Sequence, residues 1–129
     1  KKSMISWFKN TKPDHNQSDF FKIYIDFPRK DLIDIINNRS KEMIKSGAIL
    51  EVKRFIKLKV PNNKSLSKAI GISEIKQYLE KKIQTEQLIE KISIKTRQYA
   101  KRQSTWARGN MKDWNKINPD GLSKLLKKI

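Results

Sequence analysis

Large apolar side chains alternate with a period of two along one clear stretch, Phe20 to Phe27 (FFKIYIDF). There Phe21, Ile23, Ile25 and Phe27 share one side and Pro28 closes the run. That pattern predicts a strand, and a lone strand must pair with something to be stable. From Asp31 the period becomes helical: Leu32, Ile35, Ile36, Arg39, Met43 and Ile44 share one predicted face, with Gly47 as a left-handed stop. A second helix is predicted from Ala48 to about Lys57, broken by Val60-Pro61-Asn62-Asn63. Ser65 to Lys82 carries Ala69, Ile70, Ile72, Ile75, Tyr78 and Leu79, and Gly71 weakens the first half of that helix. Thr85 is the expected cap of a long amphipathic helix running to Arg108, and Met111 to Ile117, around Trp114, is a candidate second strand. Pro119 and Gly121 precede a last small helix ending in Leu125, Leu126 and Ile129. At the start, Ser3 is placed to cap a short helix over Met4 to Lys9, and the polar stretch Asn10 to Asp19, with Pro13, is a loop.

A chain of 129 residues without internal repeats is one domain, long enough to bury roughly two thirds of its unfolded surface. It has no cysteine and one histidine, His15, which excludes disulfide scaffolds, zinc sites, Ser-His-Asp triads and Cys-His dyads. No apolar run approaches the ~18 residues that span a bilayer, and no signal-peptide pattern opens the chain, so the expectation is a soluble, cytoplasmic protein without a membrane partner. The first residue is Lys1, and the chain looks like a piece of something longer.

Charge changes the picture more. There are 30 Lys+Arg against 13 Asp+Glu, a formal net charge of +17. The 24 Lys, 18 Ile and 9 Asn are a bias that AT-rich codons can produce, so part of the excess is explicable as genomic drift. Drift of that kind depletes arginine, yet three of the six arginines, Arg97, Arg102 and Arg108, fall within twelve residues. That cluster is where a polyanion should be sought.

Two constellations carry chemistry. Arg39 falls on the predicted apolar stripe of its helix, and a guanidinium is costly to bury unless something anionic meets it. An ion pair elsewhere in the fold, an edge position reaching solvent, and a bidentate grip on phosphate are all compatible with that placement. The second is Lys91 to Arg108 (KISIKTRQYAKRQSTWAR), six basic residues and no acidic one in eighteen. On a helix Arg97, Lys101, Thr105 and Arg108 stack along one edge, beside a stripe of Ile92, Thr96, Tyr99, Gln103 and Trp106. Such a face neutralises phosphates and offers stacking to unpaired bases; the bland alternative is a solvated basic edge over a Tyr/Trp core stripe.

The run Thr96 to Arg108 (TRQYAKRQSTWAR) resembles the TRQ-x-AKRQ-x-TW-x-R signature of tRNA dimethylallyltransferases, the isopentenyl transferases that modify an adenosine beside the anticodon. Further stretches agree in the same order. Lys2-Ser3 followed by Ser6-Trp7 resembles the family's GK-[ST]-x-[ST]-x-W segment, with Lys1 where glycine is usual. Arg29 to Gly47 resembles its R-x-x-L-x-x-x-I-x-x-R-x-x-x-M-x-x-x-G helix, Lys68 to Ile72 stands where R-x-[IV]-GY is usual, and Trp114 matches a tryptophan near the family's C-terminus. The likeness covers nearly all of this chain but only the C-terminal part of the family's enzyme.

The resemblance implies a mainly α chain with one or two isolated strands, a C-terminal fragment of a P-loop-type α/β enzyme. It lacks the family's GPTASGK[ST] phosphate loop and its proposed base, so the fragment is expected to have no turnover alone and no catalytic residue of its own. By the same resemblance Arg39 contacts the diphosphate of dimethylallyl diphosphate, and Lys68, Gly71, Ser73, Arg97, Lys101, Arg102, Gln103, Thr105, Trp106 and Arg108 lie in stretches that touch the tRNA anticodon stem-loop. Lys101, Arg102 and Arg108 would hold phosphates, while Gln103 and Trp106 touch RNA or position the helix. Magnesium is implied as the diphosphate's counter-ion, with no protein ligand in this segment. Three departures matter: Lys68 replaces the usual Arg, turning a bidentate contact into a point charge; Ile72 replaces a Tyr; Ala107 replaces a common aromatic. A non-catalytic basic helical RNA-binding module is the alternative, and an adaptor for an acidic protein the third reading. Strands without neighbours would favour self-association.

Overall fold

The computed structural model describes residues 3–12 and 14–127, with the backbone alone for Gln17; Lys1, Lys2, Pro13 and Ile129, on which parts of the sequence reading fall, lie outside the described residues. Among the described residues the order is α1 (Met4–Asn10), β1 (Ile23–Ile25), α2 (Arg29–Lys45), α3 (Ala48–Lys57), α4 (Ile72–Leu79), α5 (Thr85–Asn110), β2 (Asn115–Ile117) and α6 (Pro119–Leu126), with 3-10 turns at Gln17–Asp19 and Ser65–Lys68.

Most boundaries follow from local chemistry. Ser3 accepts from the Ser6 N–H at 3.2 Å and starts α1. Gly47, at φ 104°, turns the chain from α2 into α3. Three expected boundaries move. The long helix begins after Gln84, not on a Thr85 cap, because the Gln87 side-chain oxygen reaches back to the Gln84 N–H at 3.0 Å. The Ser65–Lys82 segment is not one helix: Gly71, at φ 102°, separates a 3-10 turn from α4. Pro119 and Gly121 lie inside α6 rather than before it, since Asn118 is the cap and accepts from the Gly121 N–H at 2.7 Å.

The strand predicted over Phe20 to Phe27 narrows to Ile23–Ile25, because its partner offers only three residues. β1 and β2 pair in parallel, Ile23 with Asn115, Tyr24 with Lys116 and Ile25 with Ile117. The two strands pair only with each other among the described residues, a two-stranded sheet set apart in a mainly helical chain, as expected. Phe20, Phe21 and Phe27 remain exposed, as do Met4, Ile5, Trp7 and Phe8 of α1.

The core sits where α3, α4 and α5 meet: Val52, Ile72, Ile75, Leu88 and Ile92 form one buried cluster, with Met43 and Ile44 of α2 packed against it. α5 also lies along α2, where Ile36 and Ser40 are buried. That interface corrects the predicted α2 stripe, which rotates away from Arg39 and Ile35 toward Ser40. Ser40 tolerates burial because its hydroxyl donates to the Ile36 carbonyl at 2.8 Å within the helix. Ile35 is left 49% exposed and Arg39 exposed beside it.

Candidate nucleic-acid interface

The C-terminal half of α5 packs with small side chains. Ala107 is buried, and Ala100 and Ser104 are half-buried toward β1 and the start of α2. Small residues hold the helix close without filling the space beside it, and two adjoining grooves result.

The larger groove, about 820 Å³, runs between the end of β1, the first turns of α2 and α5. Arg29 of α2, Arg97, Lys101 and Arg108 of α5 and Lys116 of β2 line it, against a single carboxylate, Asp26. The described ion pairs join Lys45 to Glu42, Lys82 to Glu80 and Lys95 to Glu74, so none of these five cations is neutralised by an acid among the described residues. Arg97 is half-buried and donates from Nη1 to Asn37 Oδ1 at 3.2 Å; Arg108 donates from Nε to the Ser104 carbonyl at 3.3 Å. Five cations against one carboxylate make the channel electropositive, the condition under which a polyanion is attracted.

The smaller groove, about 550 Å³, lies along Tyr24, Phe27 and Leu32 and is rimmed by Arg102, Gln103 and Trp106. It is mostly apolar. Arg102 stacks its guanidinium 5.6 Å from the centre of the Tyr99 ring. Tyr99 is 49% exposed and Trp106 60%, so these aromatics are not the core stripe that the bland reading required. Solvent-facing aromatics beside arginines are what base stacking uses.

The structure thus brings Arg97, Lys101 and Arg108 into one groove and Arg102, Gln103 and Trp106 to its neighbour. Thr105 is exposed, its hydroxyl donating to the Lys101 carbonyl at 2.9 Å. Lys68 and Ser73 are exposed on a separate surface around the 68–73 turn. Gly71 is buried, its N–H held by Glu74 Oε2 at 3.0 Å and its carbonyl accepting from Ile75 at 2.8 Å. Arg39 lines neither groove and has no acid partner among the described residues, which removes the ion-pair reading of that position.

Sequence reasoning missed four residues. Arg29 and Lys116 join the groove from elements far apart in the chain, and nothing in a linear pattern announces that. Asn37 sits beside the apolar stripe and gains meaning only from Arg97. Glu74 had a legible signal, since it stands three residues after the helix-starting Gly71, the capping-box spacing.

Glu74 is 2% exposed. Burial pushes its carboxyl up, but hydrogen bonds from Lys95 and from the backbone N–H groups of Glu74 and Gly71, together with the Lys95 charge, outweigh burial and hold it below its ordinary value. Among the described residues no three His, Cys, Asp or Glu side chains gather where they could hold a metal ion.

Comparisons with known proteins point to one family. Residues 1–110 match the family model described as IPP transferase. A tRNA dimethylallyltransferase of Pelagibacter ubique (strain HTCC1062) is 50% identical over 129 residues, covering 98% of this chain and 41% of that protein. One from Allorhizobium ampelinum is 42% identical over 92 residues, covering 70% of this chain and 30% of its own. The crystal structure of a tRNA isopentenylpyrophosphate transferase from Bacillus halodurans superposes with a TM-score of 0.68 at 28% identity, over 88% of this chain and 36% of that one. Another, from Staphylococcus epidermidis, gives 0.70 at 28% identity, over 86% and 39%. The chain therefore spans less than half the length of these relatives, and its helices and parallel strand pair are part of a P-loop-type fold. With the match running through the α2 helix and the basic stretch of α5 alike, the chain belongs to the IPP transferase family.

Proposed function

We propose that this chain is the part of a tRNA dimethylallyltransferase that grips the anticodon stem-loop and supplies one ligand to the diphosphate of dimethylallyl diphosphate. The observation that carries the reading is the groove of Arg29, Arg97, Lys101, Arg108 and Lys116, cations from three elements without an ion-pair partner among the described residues. The names of the relatives support the substrate pair.

In the whole enzyme the bond between the allylic carbon and the diphosphate oxygen breaks as the carbon bonds N6 of an adenosine beside the anticodon, and N6 releases a proton. The target base must leave its stack to be reached, and phosphate contacts on α5 fix the register in which it does so. Arg39, exposed and without an acid partner among the described residues, is suited to take charge on the departing diphosphate once the rest of the enzyme faces it. The proton acceptor is not in this chain, and the chain alone turns nothing over. Lys68 and Ser73 extend the RNA surface beyond α5, with Arg102, Gln103, Thr105 and Trp106 on its near side.

The test is binding of a labelled anticodon stem-loop across a salt series, with the unsubstituted chain beside Lys101→Ala/Arg102→Ala. The expected result is a steep salt slope that falls by about two phosphate equivalents in the double variant. A slope unchanged by the substitutions, or no binding, overturns the reading.

A further inference from the structure

The two stretches assigned to RNA, the 68–73 turn and the basic helix, belong to different elements and share no groove. The Glu74 carboxylate is bonded to both. Glu74 Oε2 accepts from the Gly71 N–H at 3.0 Å, and Oε1 is paired with Lys95 Nζ on α5. Lys95 lies two residues before Arg97 and six before Lys101, which is about 9 Å along the helix axis from the latter. Gly71 itself packs on the core: a Cβ there would lie 3.7 Å from Met43 Cε and 3.9 Å from Ile92 Cδ1. At its end Ile72 is buried in the core cluster with Leu88 and Ile92 of α5, whereas the hydrogen bonds around Lys68 are internal to the turn. The Ala69 N–H reaches the Leu66 carbonyl at 3.2 Å and the Ile72 N–H the Ala69 carbonyl at 3.3 Å.

We propose that Glu74 is a positioning residue for RNA recognition: its buried carboxylate clamps the 68–73 turn to α5, so that Lys68 and Ser73 meet a tRNA backbone in fixed register with the cations of α5. This rests on the reading of the chain as a tRNA-binding surface. A carboxylate suits the task because its two oxygens serve two donors at once, one a backbone N–H and one a cation. The body of α4 is held independently, by Ile75 packed with Leu88 and Ile92 and by Lys91 Nζ donating to Gln77 Oε1 at 2.9 Å. Loss of the clamp therefore loosens the Lys68 end of the turn, while Ile72 keeps its place in the core and α4 and α5 stay together.

The experiment is a set of double-variant cycles on stem-loop binding, with Lys68→Ala and Lys101→Ala each made in the unsubstituted, Glu74→Gln and Lys95→Met backgrounds. In the unsubstituted chain, Lys68→Ala should weaken binding several-fold and lower the salt slope by about one phosphate equivalent. In the Glu74→Gln and Lys95→Met backgrounds Lys68→Ala should change affinity less than twofold, while Lys101→Ala keeps its full effect. An equal Lys68→Ala effect in every background, or a parallel collapse of the Lys101→Ala effect, overturns the proposal. Amide exchange without RNA tests the clamp directly: Glu74→Gln should speed exchange at Gly71 about tenfold and leave residues 97–108 unchanged. Unchanged exchange at Gly71 overturns the clamp whatever the RNA does. Absence of stem-loop binding by the unsubstituted chain overturns the RNA reading instead, and leaves the exchange result to decide on the clamp.

Discussion

Arg97 of α5 donates to Asn37 of α2 at 3.2 Å, a hydrogen bond across sixty residues of sequence that fixes one cation of the groove in place. Both residues are half-buried, so the guanidinium cannot leave its partner without giving up packing as well. Asn37→Ala should lower stability by about 1 kcal/mol, seen as a lower urea midpoint at unchanged m. Asn37→Asp should keep the contact and strengthen it, yet weaken stem-loop binding by placing a second carboxylate beside the groove. Equal binding by Asn37→Asp and the unsubstituted chain would remove Arg97 from the phosphate surface.

Glu74 gives stability a defined acid limb. Its carboxyl is held below its ordinary value of 4.5, so the unfolded chain takes up its proton first as pH falls. The contribution is complete above that ordinary value and is lost as pH falls through the lower, folded one. Lys95→Met removes two of the influences that lower it and should flatten stability against pH below about pH 5. At neutral pH the same variant should cost roughly 1–2 kcal/mol, less than a fully enclosed pair, because the Lys95 side chain is 49% exposed. Urea melts at several pH values read both effects.

Lys81 occupies a left-handed position, φ 58°, directly after α4. Its N–H donates to the Tyr78 carbonyl at 2.9 Å and the Lys82 N–H to the Gln77 carbonyl at 2.9 Å, the two bonds of a Schellman ending. Glycine adopts that conformation without a Cβ penalty. Lys81→Gly should raise stability by about 0.5–1 kcal/mol, a rise of roughly 2–6 °C in Tm by calorimetry. The lysine lines neither groove, so stem-loop binding should not change.

The helices were legible because each carries its own signal: Ser3 before Met4, Gly47 between two periodic runs, and the long polar-apolar alternation from Thr85. The cation edge of Arg97, Lys101 and Arg108 was legible for the same reason, since helical spacing alone stacks it. What failed was the rotation of α2. Ser40 and Asn37 look polar in sequence, yet one satisfies its hydroxyl within the helix and the other meets Arg97, so both turn inward while Ile35 and Arg39 turn out. Arg29 and Lys116 became groove residues only through the parallel pairing of two three-residue strands, a contact between segments some ninety residues apart.

The aromatic face of α5 separates packing from recognition. Leu88 is fully buried, and Leu88→Ala should cost about 2–5 kcal/mol. Trp106 is largely exposed, so Trp106→Ala should alter stability by no more than about 0.5 kcal/mol. If unpaired bases stack on this face, the same substitution should weaken stem-loop binding by about 1–3 kcal/mol, roughly 5- to 150-fold. The salt slope should stay the same, because no phosphate contact is lost, whereas Lys101→Ala should lower the slope. The two variants thus read two physical contributions from one helix: stacking, which salt does not screen, and counter-ion release, which it does. An affinity unchanged by Trp106→Ala would confine the α5 interface to its cationic groove and leave the aromatic face to pack against another part of the parent protein.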